Sequence, residues 1–512
     1  MKGLRRVLVA NRGEIAVRVI RACRELGLET VAVASDADLD APHARLADRT
    51  EHLGPSDPRE SYLRQDRLID AARRSGADAV HPGYGFLAES AAFADAVTAA
   101  GLRFVGPPAE VIARLGDKTA ARAIAERSGV PVIPGFTPEG RAGGGGPDAF
   151  AAAAEQLGYP LLVKAAAGGG GRGMRVVERA DDLRGALASA EREARAAFGD
   201  GRLFLERQLP EVRHVEVQIV ADGDGRTAAL GERECSVQRR HQKLIEEAPS
   251  ARVDPAGRAR LAAAAVAVAN AAGYVNAGTV EFLMEPGGQF YFLEVNTRLQ
   301  VEHPVTEFVA GVDLVKSQLR IAAGEPLDAA GIPSADAAAP RGHALECRVC
   351  AEDPADGFRP SPGPILVLDE PAGPWIRVDS GIREGWQVPA VYDSLLAKVI
   401  VWDRTRAGAV ARMQQALGRF VILGCGTNLE FLRAVIAHEA FRRAETTTDF
   451  LERHFTGWQP DPSPRALAVA AAIAVTQPRP APPAGGAAGR VDPVAWDPWE
   501  TASGWRIGGP HD

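Results

Sequence analysis

The stretch KAAAGGGGRGM, residues 164–174, decides between fold classes. It satisfies G-x-G-x-x-G through Gly168, Gly170 and Gly173, a pattern that opens a helix in dinucleotide-binding folds. Here the next segment is MRVVE (174–178), which is β-branched and strand-like, and no Gly-Lys-Ser/Thr ends the loop. The loop therefore joins two strands, which sets aside both the dinucleotide fold and the P-loop. Glycines let backbone N–H groups approach phosphate oxygens closely. A flexible lid over a nucleotide, with Lys164 entering from the preceding strand, suits this layout. The plain alternative is a surface hairpin.

Downstream, TVEFLMEPGGQFYFLEVN (279–296) reads as a β-hairpin with Gly287-Gly288 as a two-residue turn of the primed type. Counting outward places Glu285 opposite Phe290 and Glu281 opposite Glu294. Like charges directly opposite are unfavourable in a sheet. A divalent cation between them reverses the sign, and oxygen ligands suit Mg²⁺ held jointly by carboxylates and phosphates. Asn296 adds another oxygen. The alternative is a solvated face with two unrelated glutamates. The run continues as EVNTRLQVE (294–302), in which Glu294, Asn296, Arg298, Gln300 and Glu302 alternate with less polar residues. In an extended segment those five share one face. Arg298 suits bidentate binding of a small planar anion, and Glu302 is placed as a general base.

The chain has 512 residues, a length that suggests about three domains. Its 46% hydrophobic and 24% charged residues are an ordinary globular balance. A net charge of −7 argues against nucleic acid and anionic membrane as partners. Five cysteines without a regular framework fit a reducing cytoplasm. The only early apolar run, VLVA, is too short for a signal peptide, and no run reaches the roughly 18 residues of a membrane span. Only six of the 59 basic residues are lysines: Lys2, Lys118, Lys164, Lys243, Lys316 and Lys398. A lysine inside a polar motif therefore marks a place where a compact ammonium is wanted rather than a planar fork.

RRVLVA (5–10), the helical EIAVRVIRACRELG with Ile15, Val19, Cys23 and Leu26 on one face and Gly27 at its end, and TVAVAS (30–35) form a strand–helix–strand unit, which implies a parallel sheet. We read 1–116 as an α/β domain, 117–335 as an α+β domain with a lid over roughly 135–205, 336–455 as a mixed C-terminal domain, and 456–512 as a Pro/Ala/Gly-rich tail. From 159 to 296 strands are expected to dominate. RAGGGGP (141–147) reads as a surface loop and TQPRPAPPAGGAAGR (476–490) as disordered. Among other clusters, QRRHQK crowds Gln238, Arg239, Arg240, His241 and Lys243 together. LGDKTAAR puts Lys118 at a helix start, where a phosphate is favoured. VRHVEVQIV puts His214 on an alternating strand, and HPGYGFLAES (81–90) sets turn glycines beside aromatics. ECRVC places Cys347 and Cys350 on opposite faces of a strand, which fits neither zinc nor redox use.

In this order and spacing, ANRGEIAVR, HPGYGFLAES, GDK, KAAAGGGGRGM, RHVEVQ, QRRHQK, GTVEF, EVNTRLQVEHPVTE, ECRV and AEDP resemble biotin carboxylase, the ATP-grasp component of acyl-CoA carboxylases, over about residues 1–455. The resemblance implies a three-domain ATP-grasp architecture with a glycine-rich lid. It implies an ATP-dependent ligase that makes carboxyphosphate from ATP and bicarbonate and transfers CO₂ to the ureido nitrogen of biotin. It implies that Lys118, Lys164, His214, Gln238, His241 and the loop Gly168, Gly169, Gly170 and Gly171 hold ATP, with Glu206 and Leu209 bordering the adenine. Glu281, Glu294 and Asn296 would hold two Mg²⁺ or Mn²⁺ ions, and Lys243, Arg298, Gln300 and Val301 bicarbonate. Glu302 would deprotonate bicarbonate, Arg348 would stabilise the biotin enolate oxygen, and Tyr84 and His241 would border the biotin pocket. Departures from the family pattern are Ala167 in place of a glycine, Arg207 in place of a lysine, and the length of RAGGGGP.

The implied partners are a biotin carboxyl carrier protein or domain, a carboxyltransferase subunit that selects the acyl-CoA, and a second copy in a homodimer. None of the four methionines, Met1, Met174, Met284 and Met413, flanks a lysine as in carrier domains, so biotin is expected to be attached elsewhere. WDPWETASGWRIGG (496–509) resembles the entry to the domain that follows in fused α subunits. Either the carrier is a separate chain, or this sequence is part of a longer one. Two other readings compete: another ATP-grasp ligase, and a catalytically silent nucleotide-binding scaffold of a carboxylase complex.

Overall fold

In the computed structural model, which describes residues 3–138, 146–166, 174–333 and 339–461, the N-terminal pattern becomes a five-stranded parallel sheet. Strands β1 (Arg6–Val9), β2 (Glu29–Ser35), β3 (Arg49–Gly54), β4 (Ala79–His81) and β5 (Arg103–Phe104) stand in the order β3-β2-β1-β4-β5, parallel throughout. The apolar runs of β1 and β2 are buried on both faces, as a helix-covered parallel sheet requires. Helix α1 (Gly13–Glu25) buries Ile15, Val19 and Cys23. Gly27, at φ +71°, ends it, and the Leu28 N–H returns to the Cys23 carbonyl.

Strands β6 (Gly135–Phe136), β7 (Leu161–Ala165), β8 (Arg175–Val177) and β9 (Leu203–Arg207) form an antiparallel sheet in the order β6-β9-β7-β8. The glycine loop thus does join two strands, β7 and β8. Gly168–Gly171 themselves lie outside the described residues, as do 141–145 and everything after 461. Helix α2 (Lys118–Arg127) starts where the sequence placed it, capped by the Asp117 carboxylate, which accepts from the Thr119 and Ala120 N–H groups.

The largest sheet holds β10 (Arg213–Ala221), β11 (Thr227–Arg239), β12 (Gln242–Ala248), β13 (Asn276–Met284), β14 (Phe290–Asn296), β15 (His343–Cys350), β16 (Ile376–Ser380) and β17 (Leu395–Asp403). Their order is β14-β13-β10-β11-β12-β15-β17-β16, and all seven pairings are antiparallel. The β12–β15 pairing, Ile245 with Cys347 through Ala248 with Ala344, carries the sheet from the middle third of the chain into the last. The expectation that strands dominate residues 159–296 missed two helices, Leu183–Phe198 and α3 (Pro255–Ala272). Ten of the eighteen residues of α3 are alanine, spread around the helix, so no apolar face stands out in sequence, although Leu261, Ala265 and Val268 pack into the core with β10 and β13.

Two local expectations are corrected. The β13–β14 turn is a three-residue loop, Pro286–Gly288, not a two-residue primed turn. The Gly288 N–H donates to the Glu285 carbonyl at 2.9 Å, the Glu285 N–H to the Gln289 carbonyl at 2.8 Å, and Gly288 but not Gly287 has positive φ. This is a type I turn closed by a left-handed glycine. Met284, not Glu285, consequently faces Phe290. A bulge between Glu281 and Phe282 then restores the count, so Glu281 does face Glu294. Second, β14 stops at Asn296 and residues 297–302 turn, so the shared-face argument holds only for Glu294 and Asn296.

In the first turn of α1, Glu14 is buried with neither carboxylate oxygen hydrogen-bonded. Burial pushes its carboxyl up to about 7, against the opposing pull of Lys398. A raised carboxyl stabilises the fold in its protonated form. That contribution is whole below the ordinary value of 4.5 and is lost as pH rises through about 7. The unfolding free energy read from urea titrations should therefore decline across that interval, by up to about 1.4 kcal/mol per pH unit from this group. Glu14→Gln should flatten the decline, and an unchanged slope in the variant would contradict the assignment.

Candidate active site

The site forms where the β13–β14 hairpin, β10, the β11–β12 hairpin and β15 converge beneath the turn 297–302. Period-two geometry puts His214, Glu216 and Gln218 on one face of β10. Register sets Glu216 beside Glu281 and Glu281 beside Glu294. Three neighbouring strands thus bring three carboxylates into line, and nearby cations must balance them.

Lys243 on β12 does most of this. Its ammonium donates to Glu216, to Glu281 Oε1 at 2.7 Å and to Glu302 Oε1 at 2.8 Å. Behind it, the fully buried Arg233 donates to Glu216 at 2.5 Å, to Gln218 at 2.7 Å and to Thr279 and Thr306 at 2.9 Å. Arg348 on β15 grips Glu246 at 2.6 Å and Glu302 Oε2 at 3.0 Å. His214 sits 2.8 Å from the second oxygen of Glu281. Burial alone would raise the carboxyl of Glu302, but Lys243, Arg348 and Arg233 outweigh it and hold it well below the usual range. Glu281 is lowered in the same way by Lys243 and His214 against its burial. Burial tends to lower Lys243, yet its three carboxylates raise it well above the ordinary lysine value. Glu246, hydrogen-bonded to Arg348, is pushed up to about 7 by burial and by the nearby Glu302 charge, against the pull of Arg348 and Lys243.

The turn continues the network. Arg298 donates to Glu89 at 2.9 Å, to Gln300 Oε1 at 2.9 Å and to Asn296 Oδ1 at 3.1 Å. Asn296 and Gln300 donate to Glu281 Oε1 at 2.7 and 3.2 Å. A cleft of about 720 Å³ opens over these groups. Of the residues selected from sequence, Tyr84, His214, His241, Lys243, Glu281, Glu294, Asn296, Arg298, Gln300, Val301 and Arg348 line it. His241 stands in the β11–β12 turn, where Arg240 and His241 both take positive φ, +48° and +66°. That is a two-residue primed turn built without glycine, a strained arrangement of the kind kept at functional sites. Gln238 is buried opposite Lys243.

Among the described residues, Lys118, Lys164, Glu206 and Leu209 are not part of this lining, and neither is the fully buried Glu302. Lys118 reaches Glu294 at 3.4 Å. Lys164 donates to Glu206 at 2.5 Å, and Arg122 meets the same carboxylate at 3.1 Å. Leu209 packs with Ile133, Val212 and Leu283. Burial, then the charge of Lys164, lowers the His241 imidazole. Sequence reasoning passed over Glu216, Arg233, Glu246 and Glu89. Glu216 was findable, because it alternates with His214 in RHVEVQ. Arg233 and Glu246 carry no such signal.

The chain is similar to known proteins in sequence and fold. Residues 3–112 match the family model "Biotin carboxylase, N-terminal domain", 117–330 match "Carbamoyl-phosphate synthase L chain, ATP binding domain", and 346–453 match "Biotin carboxylase C-terminal domain". The chain is 48% identical over 452 residues to a pyruvate carboxylase subunit of Methanothermobacter thermautotrophicus, covering 88% of this chain and 90% of that one. It is also 48% identical over 453 residues to biotin carboxylase of Pseudomonas aeruginosa, covering 88% and 98%. The biotin carboxylase domain of Hydrogenobacter thermophilus 2-oxoglutarate carboxylase, a dimer solved with MgADP, ADP and bicarbonate, superposes with a TM-score of 0.85 at 42% identity, covering 90% of this chain and 100% of that one.

Lys243→Met leaves Glu216, Glu281 and Glu302 without their shared cation. The expected cost is about 3–5 kcal/mol in urea unfolding near neutral pH, partly recovered by adding Glu216→Gln. A midpoint equal to wild type would show that the ammonium is not what balances the three carboxylates.

Proposed function

Because the chain belongs to the biotin carboxylase family, we propose that it carboxylates biotin with bicarbonate at the expense of ATP, the first half-reaction of a biotin-dependent carboxylase. The observation that carries this reading is Glu302. It is a fully buried carboxylate kept ionised by Lys243 and Arg348, one turn of chain from the paired carboxylates of the hairpin.

Glu281, Glu294 and Asn296 offer only hard oxygen donors, and the two opposed carboxylates are a pair that a divalent cation would relieve, so they fit Mg²⁺. When bound, the ion neutralises phosphate charge. Lys118, Lys164, His214, Gln238, His241 and the Gly168–Gly171 loop hold ATP, with Glu206 and Leu209 on the adenine side. Lys243, Arg298, Gln300 and the Val301 backbone hold bicarbonate, with the Arg298 guanidinium giving bidentate contact. A bicarbonate oxygen bonds the γ-phosphorus as the bond to the bridging oxygen breaks and ADP leaves, while Glu302 accepts the bicarbonate proton, which gives carboxyphosphate. A carboxylate so strongly stabilised is a weak base. An incoming anion that shares the Lys243 ammonium draws charge away from Glu302 and raises its basicity at the moment of use. Carboxyphosphate then breaks its C–O bond to give CO₂ and phosphate. The biotin nitrogen bonds the CO₂ carbon as its proton passes to phosphate, with Arg348 facing the ureido oxygen and Tyr84 bordering the ring.

Biotin is delivered on a carrier protein or domain, a carboxyltransferase takes the carboxyl group from carboxybiotin and returns the biotin, and the catalytic unit is a homodimer. The domain limits are 1–116, 117–335 and 336–455, with 456–512 a Pro/Ala/Gly-rich tail.

Phosphate release from Mg-ATP, with bicarbonate and biotin each supplied or omitted, tests this reading. Release should require bicarbonate, rise with biotin, fall to background without divalent cation, and drop about 100-fold or more in Glu302→Gln. Release indifferent to biotin would point to another ligase, and none at all to a scaffold.

A further inference from the structure

Lys398 is fully buried on β17, directly opposite Arg348 on β15 and Asp379 on β16. Its ammonium donates to the main-chain carbonyl of Val301 at 2.7 Å. The next carbonyl back, that of Gln300, is held at 2.8 Å by the Nδ1–H of His303, which is also fully buried. Two side chains therefore grip consecutive peptides of the turn that presents Gln300, Val301 and Glu302, and neither of them is part of the cleft lining, although the Lys398 ammonium also lies 5.9 Å from the ring of Tyr84, which is.

The grip is anchored on three parts of the fold. Lys398 lies 3.5 Å from Glu14 of α1 and 3.8 Å from Asp379. Asp379 takes a two-pronged pair from Arg377 at 2.8 and 2.7 Å, and Arg377 reaches Glu307 at 2.7 Å. Glu307 sits on α4 (His303–Ala310), the helix that the turn leads into, and it also meets Arg18 of α1 at 3.0 Å. Charge alternates along the whole chain of contacts. A lysine whose only task was to balance Glu14 would need no carbonyl at 2.7 Å. A buried ammonium that gives a charge-assisted bond to one peptide oxygen fixes that peptide plane.

We propose that Lys398 is a positioning residue for the carboxylation reaction, holding the Val301 peptide so that the 300–302 turn keeps its anion-binding shape. The assignment rests on the biotin carboxylase reading above. In Lys398→Met, which keeps length and apolar stem but donates nothing, KM for bicarbonate should rise about tenfold or more, the loss of one charge-assisted bond. KM for ATP should stay within about twofold, because Lys118, Lys164 and Glu206 lie outside this network. Hydrogen exchange at the amides of residues 299–303 should accelerate in the same variant.

Lys398→Met/Glu14→Gln removes the nearest of the carboxyl groups that lose their cation, the others being Glu346 and the Arg377-paired Asp379, and guards against misfolding. It should regain thermal stability while keeping the bicarbonate defect. A double variant with normal KM for bicarbonate would reduce Lys398 to a counter-ion of Glu14 and overturn the proposal, as would unchanged exchange at 299–303. Wild-type phosphate release that ignores bicarbonate would instead overturn the carboxylase reading, and the exchange comparison would still decide the role of Lys398.

Discussion

One ammonium shared by three carboxylates is the constraint on which the site depends. Lys243 is the point at which Glu216, Glu281 and Glu302 can come together without mutual expulsion. Removing any one carboxylate relaxes the others, whereas removing the cation leaves several buried charges opposed. Arg233 and Arg348 extend the same alternation to either side. The result is preorganised. Glu281 and Glu302 stay ionised at a depth where burial alone would neutralise them, while burial and the neighbouring Glu302 charge push Glu216 up, and donors already surround the place where an anion can sit.

The sheet makes this possible. Antiparallel register sets Glu216, Glu281 and Glu294 in a row across β10, β13 and β14, and the bulge at Glu281 keeps the row aligned despite a longer hairpin loop. The β12–β15 pairing then brings Arg348, from a segment about a hundred residues further on, within reach of Glu302. Neither the middle nor the last third of the chain holds the complete charge pattern alone.

Much of this was legible in the residues. The strand–helix–strand opening, the glycine loop between strands and the facing pair Glu281 and Glu294 follow from period and composition. The paired glutamates were found by a count that was locally wrong, with the error at the turn and the bulge cancelling each other. What stayed hidden depends on long-range pairing. Glu246 and Arg348 meet only because β12 and β15 are neighbours, and Arg233 is one arginine among many until the sheet surrounds it with Glu216, Gln218, Thr279 and Thr306. Helix α3 was invisible because alanine gives no contrast. The scarcity of lysine was a better guide than any motif scan allowed. Lys118, Lys164 and Lys243 belong to the site or its border, and Lys398, counted but not singled out, lies directly behind it.

The unbroken eight-stranded sheet also bears on how such chains can be recombined. Grafting the last third of one relative onto the first two thirds of another would swap β15, β16 and β17 but keep β12. The seam would then have to match in backbone register, in buried volume and in the Glu246–Arg348–Glu302 charge order all at once. A mismatch would leave β12 as an open edge, which invites pairing between molecules. Exchange at the chain's ends carries no such burden, so lineages of this fold are freer to vary what they are fused to than what they contain.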